Sequence, residues 1–291
     1  MGNRTFKDYT KPGPLLDDSR DEELRLALEG ELGEPVTCDA LAGDFRIFQL
    51  KNGHRFSTDD VLTAWYGTQC APRVERVLDL GSGIGSVGMT AAWRLPFARF
   101  ETIEAQEKSV RLARASASRN GLEGRYEIRQ GDLRGFDARQ GSSPGASLFD
   151  LVLGSPPYFP PGSGVPGDHP QKIDCRFEMR GDVRDYCLAG LRHLAPGAGL
   201  ALVFPTLQRA RARQAWTEAG GALVRLRPVI FREGEPPLLD LLYLQRVSDL
   251  PSKFVETGGF EEPPLVIREA SGQTSLEYRA LKLSFGFPPS A

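Results

Sequence analysis

Val74-Glu75-Arg76-Val77-Leu78-Asp79-Leu80-Gly81-Ser82-Gly83-Ile84-Gly85 is the stretch that decides the fold. A short apolar run ends in a Gly-rich turn, and Ser86-Val87-Gly88-Met89 opens a run of helical period. Strand, turn and helix follow without a linker. Glycines let the backbone adopt positive φ and approach a ligand closely. A lone turn of this kind also fits simple packing or dinucleotide binding. The dinucleotide fingerprint places its third glycine one position later, where Ser86 stands.

Outward from this turn the pattern repeats. ARFETIE reads as a strand ending near Glu104, and KSVRLARASASRN as a helix closed by Gly121. RYEIRQ, FDLVLGS and GLALVFP read as strands. VRDYCLAGLRHL and LQRARARQAWTEA read as helices. Alternating strands and helices predict an α/β fold, a mostly parallel sheet with helices on both faces. Only REGEPPL joins ALVRLRPVIF to LDLLYLQRV. So short a link predicts an antiparallel last strand.

The flanks read differently. Residues 1–44 form an acidic leader, broken at Lys11-Pro12-Gly13-Pro14, with a short helix from Asp21 to Glu31. Phe45 opens the strand FRIFQL; KNGHRFSTDD then turns into the helix VLTAWYG, with Asp59 or Asp60 as its cap. Residues 251–291 read as a small appendage, a strand LVIRE and a helix near Tyr278 to Leu283. The expected division is therefore 1–44, 45–250 and 251–291.

The composition, 40% hydrophobic and 25% charged over 291 residues, is that of a soluble globular protein. No apolar run reaches the ~18 residues of a membrane span, and the N-terminus has no signal-like apolar core. Cys38, Cys70, Cys175 and Cys187 are far apart and form no C-x-x-C pair. Neither a zinc site nor a disulfide framework is expected, and a reducing cytoplasm fits. Net charge is -2, with 5 Lys/Arg against 11 Asp/Glu in residues 1–45. The remaining body is mildly basic, which permits a nucleic-acid partner without demanding one. The excess of Arg over Lys reads as genome composition. The Arg209, Arg211, Arg213 run and Arg225, Arg227 and Arg232 read first as solvated faces and second as RNA phosphate contacts.

Three constellations carry chemistry. Asp79 precedes Gly81, Ser82, Gly83 and Gly85; Glu104 closes the next strand; Asp132 follows the third. An acidic residue at the second strand's end can accept both ribose hydroxyls of an adenosine-containing cofactor. This order resembles the S-adenosylmethionine-dependent methyltransferases. It implies a Rossmann-like class I sheet, with S-adenosylmethionine as cofactor and no metal. The second constellation is Ser155-Pro156-Pro157-Tyr158-Phe159 after the apolar strand FDLVL. It is similar to the (Asn/Asp/Ser)-Pro-Pro-(Tyr/Phe/Trp) motif of enzymes that methylate planar amino groups. A side-chain oxygen and the Pro156 carbonyl can accept the two N–H bonds of such a group. That favours a pyramidal, nucleophilic nitrogen. An aromatic at Tyr158 gives the base a face to stack on, worth ~1–3 kcal/mol in comparable sites.

The third constellation is Gly53-His54-Arg55-Phe56-Ser57-Thr58-Asp59-Asp60. With the other two it resembles the N-terminal signature of the bacterial tRNA (adenine-N6)-methyltransferases acting on the anticodon loop of valine tRNA. The resemblance covers about Phe45 to Leu283. It implies that Thr58 and Asp59 close over the methionine end of the cofactor, and that Phe159 and Arg176 face the substrate. A Gly- and Pro-rich loop over 159–176 is expected to be mobile and to lie beside the methyl donor. Two residues depart from the family: Ser155 stands where Asn is usual, and Phe177 replaces the His of its Arg-His-Glu. The implied activity is methylation of an exocyclic amino group, foremost adenine N6 in tRNA. DNA, protein glutamine and small-molecule amines are the alternatives, with a non-catalytic binding module behind them. His54, His169 and His193 are too scattered for a metal triad and read as surface or packing residues.

Overall fold

A computed structural model describes residues 18–138, 148–160, 162 and 169–287. The chain opens with helix α1 (Asp18–Leu32), hairpin strands β1 (Val36–Ala42) and β2 (Phe45–Leu50), and helix α2 (Thr58–Cys70). Strand–helix alternation follows: β3 (Arg76–Leu80), α3 (Ser86–Arg94), β4 (Arg99–Glu104), α4 (Glu107–Arg119) and β5 (Tyr126–Gln130). Next come β6 (Phe149–Gly154), α5 (Pro170–Arg176), α6 (Val183–His193), β7 (Leu194–Pro205) and α7 (Arg209–Glu218). The chain ends with β8 (Gly221–Arg232), β9 (Leu239–Arg246), α8 (Ser252–Thr257), β10 (Phe260–Glu261), β11 (Leu265–Arg268) and α9 (Leu276–Leu283).

The main sheet has the order β10-β8-β9-β7-β6-β3-β4-β5, with β11 also on β8. Strands β3 to β7 pair with one another in parallel, and β9 is antiparallel to both β7 and β8. The mostly parallel sheet with its antiparallel strand is the one read from the sequence. Strand β3 pairs with β4 on one side and β6 on the other, so the order reverses there. Open α/β sheets bind ligands at the carboxyl ends of the strands at such a switch point. The register Leu80↔Gly154 sets the Gly81 turn beside Ser155.

Alternation along the strands fills a core on each face. Val77, Leu151 and Leu153 pack under α2; Leu78, Leu80 and Val152 pack under α6 and α7. Each buried Leu or Val contributes about 1.5–3 kcal/mol.

The flanks are built into this body. The expected boundary at residue 44 falls inside the β1–β2 hairpin, where Ala42 pairs with Phe45. Leu28, Leu41 and Phe48 lie in the core with α2 and α4, and Asp21 pairs with Arg119. At the other end β11 extends the sheet, Phe285 is fully buried, and its carbonyl accepts from Gly43 N–H. The turn after α9 thus closes against the N-terminal hairpin at Phe285. The cap of α2 is Ser57, not Asp59 or Asp60; Asp60 instead accepts the Ser57 N–H at 2.8 Å, the reciprocal half of a capping box. Among the described residues no helix is long and apolar enough to cross a membrane.

Candidate active site

One cleft of about 740 Å³ opens at the switch point. Its first wall is the β3–β4 edge. Gly81 has φ +58°, and a Cβ there would overlap the Tyr186 hydroxyl. The turn therefore needs glycine for its conformation and for the ring beneath it. Gly83, at φ +54°, has open space where a Cβ would stand, so its backbone faces the cleft bare. Its N–H donates to Glu104 Oε2 at 2.8 Å, and Gln106 N–H donates to Oε1 at 2.7 Å. Glu104 is thereby held rigid at the end of β4. Burial raises its pKa, and the two backbone donors oppose that shift.

Asp79 lies deeper. Its Oδ2 accepts the Gly88 N–H at 2.9 Å, while its Oδ1 and the Ser82 hydroxyl are buried without a partner among the described residues. Burial lifts the Asp79 pKa well above the usual carboxylate range. Asp60 is also buried, and its pKa is pushed up to about 7, chiefly by desolvation. Asp59, Asp60, Asp79 and Glu104 all line this cleft. Orphaned buried acceptors, an uncovered glycine backbone and several carboxylates fit a ligand carrying hydroxyl, ammonium and sulfonium groups.

The second wall is the exit of β6. Ser155, Pro156, Pro157, Tyr158 and Phe159 all line the cleft. The Tyr158 ring meets Phe204 edge-on, with centroids 5.9 Å apart. Its hydroxyl donates to Asp59 Oδ2 at 2.7 Å. The loop is stapled in place: Tyr158 and Phe159 N–H groups donate to the Arg176 carbonyl, and Gln208 Nε2 donates to the Tyr158 carbonyl at 2.8 Å. The Phe159 and Phe177 rings lie 5.9 Å apart. Phe177 thus packs against the β6 exit. Glu178 takes both Arg211 nitrogens, at 2.5 and 2.7 Å.

Most residues singled out from the sequence meet in this cleft, but three do not line it. Gly85 caps α3 with φ +87° and packs on Met89. Thr58 instead stands by the Tyr278 phenol of α9, where it opposes the rise in pKa that burial causes. Asp132 is turned toward Arg134, at 2.9 Å, which lowers its pKa; its neighbours Gly131 and Leu133 line the cleft instead. Arg176 lies at the rim and is exposed. The loop expected to be mobile is partly helix α5, capped by His169 with Pro170 in its first turn. Residues 161 and 163–168 fall outside the described residues.

The arginines read as second-choice RNA contacts are mostly occupied. Arg209 is bidentate on buried Asp240, at 2.7 and 2.8 Å. Arg225 pairs with Glu262 and Arg227 with Glu277. Sequence reasoning missed Lys51, Lys172 and Arg180 on the rim, and Tyr186 on the floor. It also assigned His54 to surface or packing, yet His54 lines the cleft. Burial, with Arg176 and Lys172 nearby, lowers the His54 pKa to about 4, so it is neutral near pH 7. Helix α5 brings Lys172 and Arg176 to the cleft, and nothing in a Gly/Pro-rich run announced that helix.

The sheet order, the Gly turn with Glu104 beside it, and Ser-Pro-Pro-Tyr across the cleft define a class I methyltransferase. The family model of the methyltransferase small domain matches residues 64–163. The chain is 31% identical over 163 residues to a tRNA1(Val) (adenine(37)-N6)-methyltransferase of Porphyromonas gingivalis, covering 55% of this chain and 62% of that one. It is 28% identical over 249 residues to the enzyme of that name from Tolumonas auensis, covering 85% and 96%. A solved structure, a predicted O-methyltransferase from Agrobacterium tumefaciens, superposes with a TM-score of 0.59 at 20% identity, over 79% of this chain and 98% of that chain, and shows the shared fold. The chain is thus a class I methyltransferase that contains a methyltransferase small domain and is similar to tRNA1(Val) (adenine(37)-N6)-methyltransferases.

Proposed function

We propose that this protein transfers a methyl group from S-adenosylmethionine to an exocyclic amino group, with adenine N6 in a tRNA as the substrate. The observation that carries the reading is the register Leu80↔Gly154, which sets Ser155-Pro156 across one cleft from Gly83 and Glu104. The cofactor supplies an electrophilic methyl group. Glu104 holds its ribose, the Gly83 backbone lies against it, and Asp79 and Ser82 face its methionine end. Ser155 Oγ and the Pro156 carbonyl accept the two N–H bonds of the target, aiming the nitrogen lone pair into the cleft. Tyr158 borders the base. Catalysis is then positioning and hydrogen bonding. An anticodon loop offers unstacked bases at lower cost than a duplex. A cytoplasmic location goes with that substrate.

Ser155 itself favours a second reading. It is smaller than the family's Asn and suits a cytosine amino group or a glutamine amide. Labelled S-adenosylmethionine incubated with separate tRNA, rRNA, DNA and protein pools, followed by mass spectrometry of the products, decides between them. N6-methyladenine in tRNA is expected. A product only in protein or DNA overturns the tRNA assignment, and full activity of both Ser155→Ala and Tyr158→Ala overturns the amino-group mechanism.

A further inference from the structure

Tyr158 is committed at its hydroxyl as well as its ring. The phenol donates to Asp59 Oδ2 at 2.7 Å, and the Ser155 hydroxyl lies near enough to the same phenol to lower its pKa against the effect of burial. These residues come from two elements, the β6 exit and the first turn of α2, and all three line the cleft. Ser155 is also the residue placed against the target nitrogen. We propose that Ser155, Tyr158 and Asp59 form a proton-exit path for the proton released when the target amino group is methylated. The inference rests on the amino-group reading above and adds to it the fate of that proton.

The step balances. The target nitrogen uses its lone pair to form one N–C bond as the donor's C–S bond breaks, and those two electrons remain on sulfur. The nitrogen then carries one proton too many and a positive charge. That proton passes to Ser155 Oγ, the Ser155 hydroxyl proton to the Tyr158 oxygen, and the phenol proton to Asp59 Oδ2. The product amine leaves neutral, and Asp59 becomes a carboxylic acid that later returns its proton to water.

The surroundings of Asp59 suit this. It faces Asp60 on its own helix, Tyr158 from the β6 exit and Tyr278 from α9. Among the described residues no Lys or Arg pairs with it. Burial raises its pKa, opposed by the Tyr158 bond, so it is a better proton acceptor than an exposed aspartate. His54 also lines the cleft, but its burial, and then Arg176 and Lys172 beside it, disfavour its taking up a proton.

The test uses the full chain and the tRNA acceptor. Tyr158→Phe keeps the ring and removes the link, so kcat should fall about tenfold or more with KM and cofactor Kd within about twofold. Asp59→Asn should do the same, and Asp59→Glu should recover part of the loss. In the unsubstituted enzyme kcat should rise with pH as Asp59 ionises and then level, and Asp59→Asn should flatten that rise. Without substrate, the infrared carboxyl band that disappears in Asp59→Asn should shift in Tyr158→Phe. Unchanged kcat and pH profile in Tyr158→Phe overturns the proposal. So does an Asp59→Asn enzyme with cofactor affinity down tenfold and kcat at saturation intact, which would give Asp59 to the cofactor. An unsubstituted protein that methylates no pool overturns the functional reading and this path together.

Discussion

The two walls of the cleft are built in opposite ways. The β3–β4 wall is regular structure: a parallel strand pair, buried carboxylates, and a turn whose N–H groups are already engaged. The β6–α5 wall is a proline-stiffened exit and a short helix with cations at the rim. Among the described residues Lys172 and Arg176 there, and Lys51 after β2, have no carboxylate partner within ion-pair distance, unlike Arg209 and Arg211 on the neighbouring helix. One wall is negative and rigid, the other basic and open. A cationic small molecule suits the first and a polyanion the second. The difference separates the residues that hold a donor from those that admit an acceptor.

The comparison breaks most severely at the rigid wall. Gly81→Val forces a β-branched residue into positive φ and against Tyr186. Such strain costs about 1–3 kcal/mol, before the clash is counted. Differential scanning calorimetry should show a lower Tm, and titration with S-adenosylmethionine should show at least about a hundredfold loss of affinity. Near-normal binding would mean that the turn does not shape the donor site.

On the open wall, the double reversal Lys172→Glu with Arg176→Glu should weaken tRNA binding by ~10–100-fold in low salt and flatten its salt dependence. Donor affinity should be unchanged. An unchanged salt slope would put the polyanion elsewhere. Glu104→Ala should do the converse, lowering donor affinity about tenfold, ~1.4 kcal/mol, while tRNA binding holds. Loss of both together would dissolve the distinction between the walls.

Much of this was legible before the structure. The Gly turn, Glu104 and the Ser-Pro-Pro-Tyr exit are local signals, because each residue's role is set by the strand it ends. What was not legible depended on tertiary contact. Helix α5 lies in a Gly/Pro-rich run. The apolar face of the N-terminal helix was legible, but not that Leu28 and Leu41 are buried against the body. The arginine runs looked solvated until Asp240, Glu178 and Glu262, all distant in sequence, came to meet them.

A subtler effect comes from Asp60, whose folded pKa stands near 7, far above an unfolded aspartate's. Its contribution to stability is full below the unfolded pKa, about 4. That contribution is lost as pH rises toward 7, because the unfolded chain ionises first. Asp60→Asn can still accept the Ser57 N–H and does not ionise. Its Tm relative to the unsubstituted protein should therefore climb between about pH 4 and 7 and then hold. A flat difference across that range would mean Asp60 titrates normally.

The smallest effect is expected at Asp132, where sequence order and geometry disagree. Its position after β5 places it in the sequence beside Glu104 as a cofactor contact. In the structure, however, it is gripped by Arg134, and both side chains are largely exposed, 40% and 51%. Exposed pairs of this kind contribute about 0–1 kcal/mol. The adjacent Gly131 and Leu133 already border the cleft, and Gly131 N–H is fixed to the Glu104 carbonyl at 2.9 Å. Backbone groups there can meet an adenine edge without the carboxylate. Asp132→Ala should thus lower donor affinity by no more than about two- to threefold, well short of Glu104→Ala. Calorimetry on the two variants side by side is the check. Equal losses would show that Asp132 leaves Arg134 and turns into the cleft when the donor arrives, so that the rigid wall is completed only on binding.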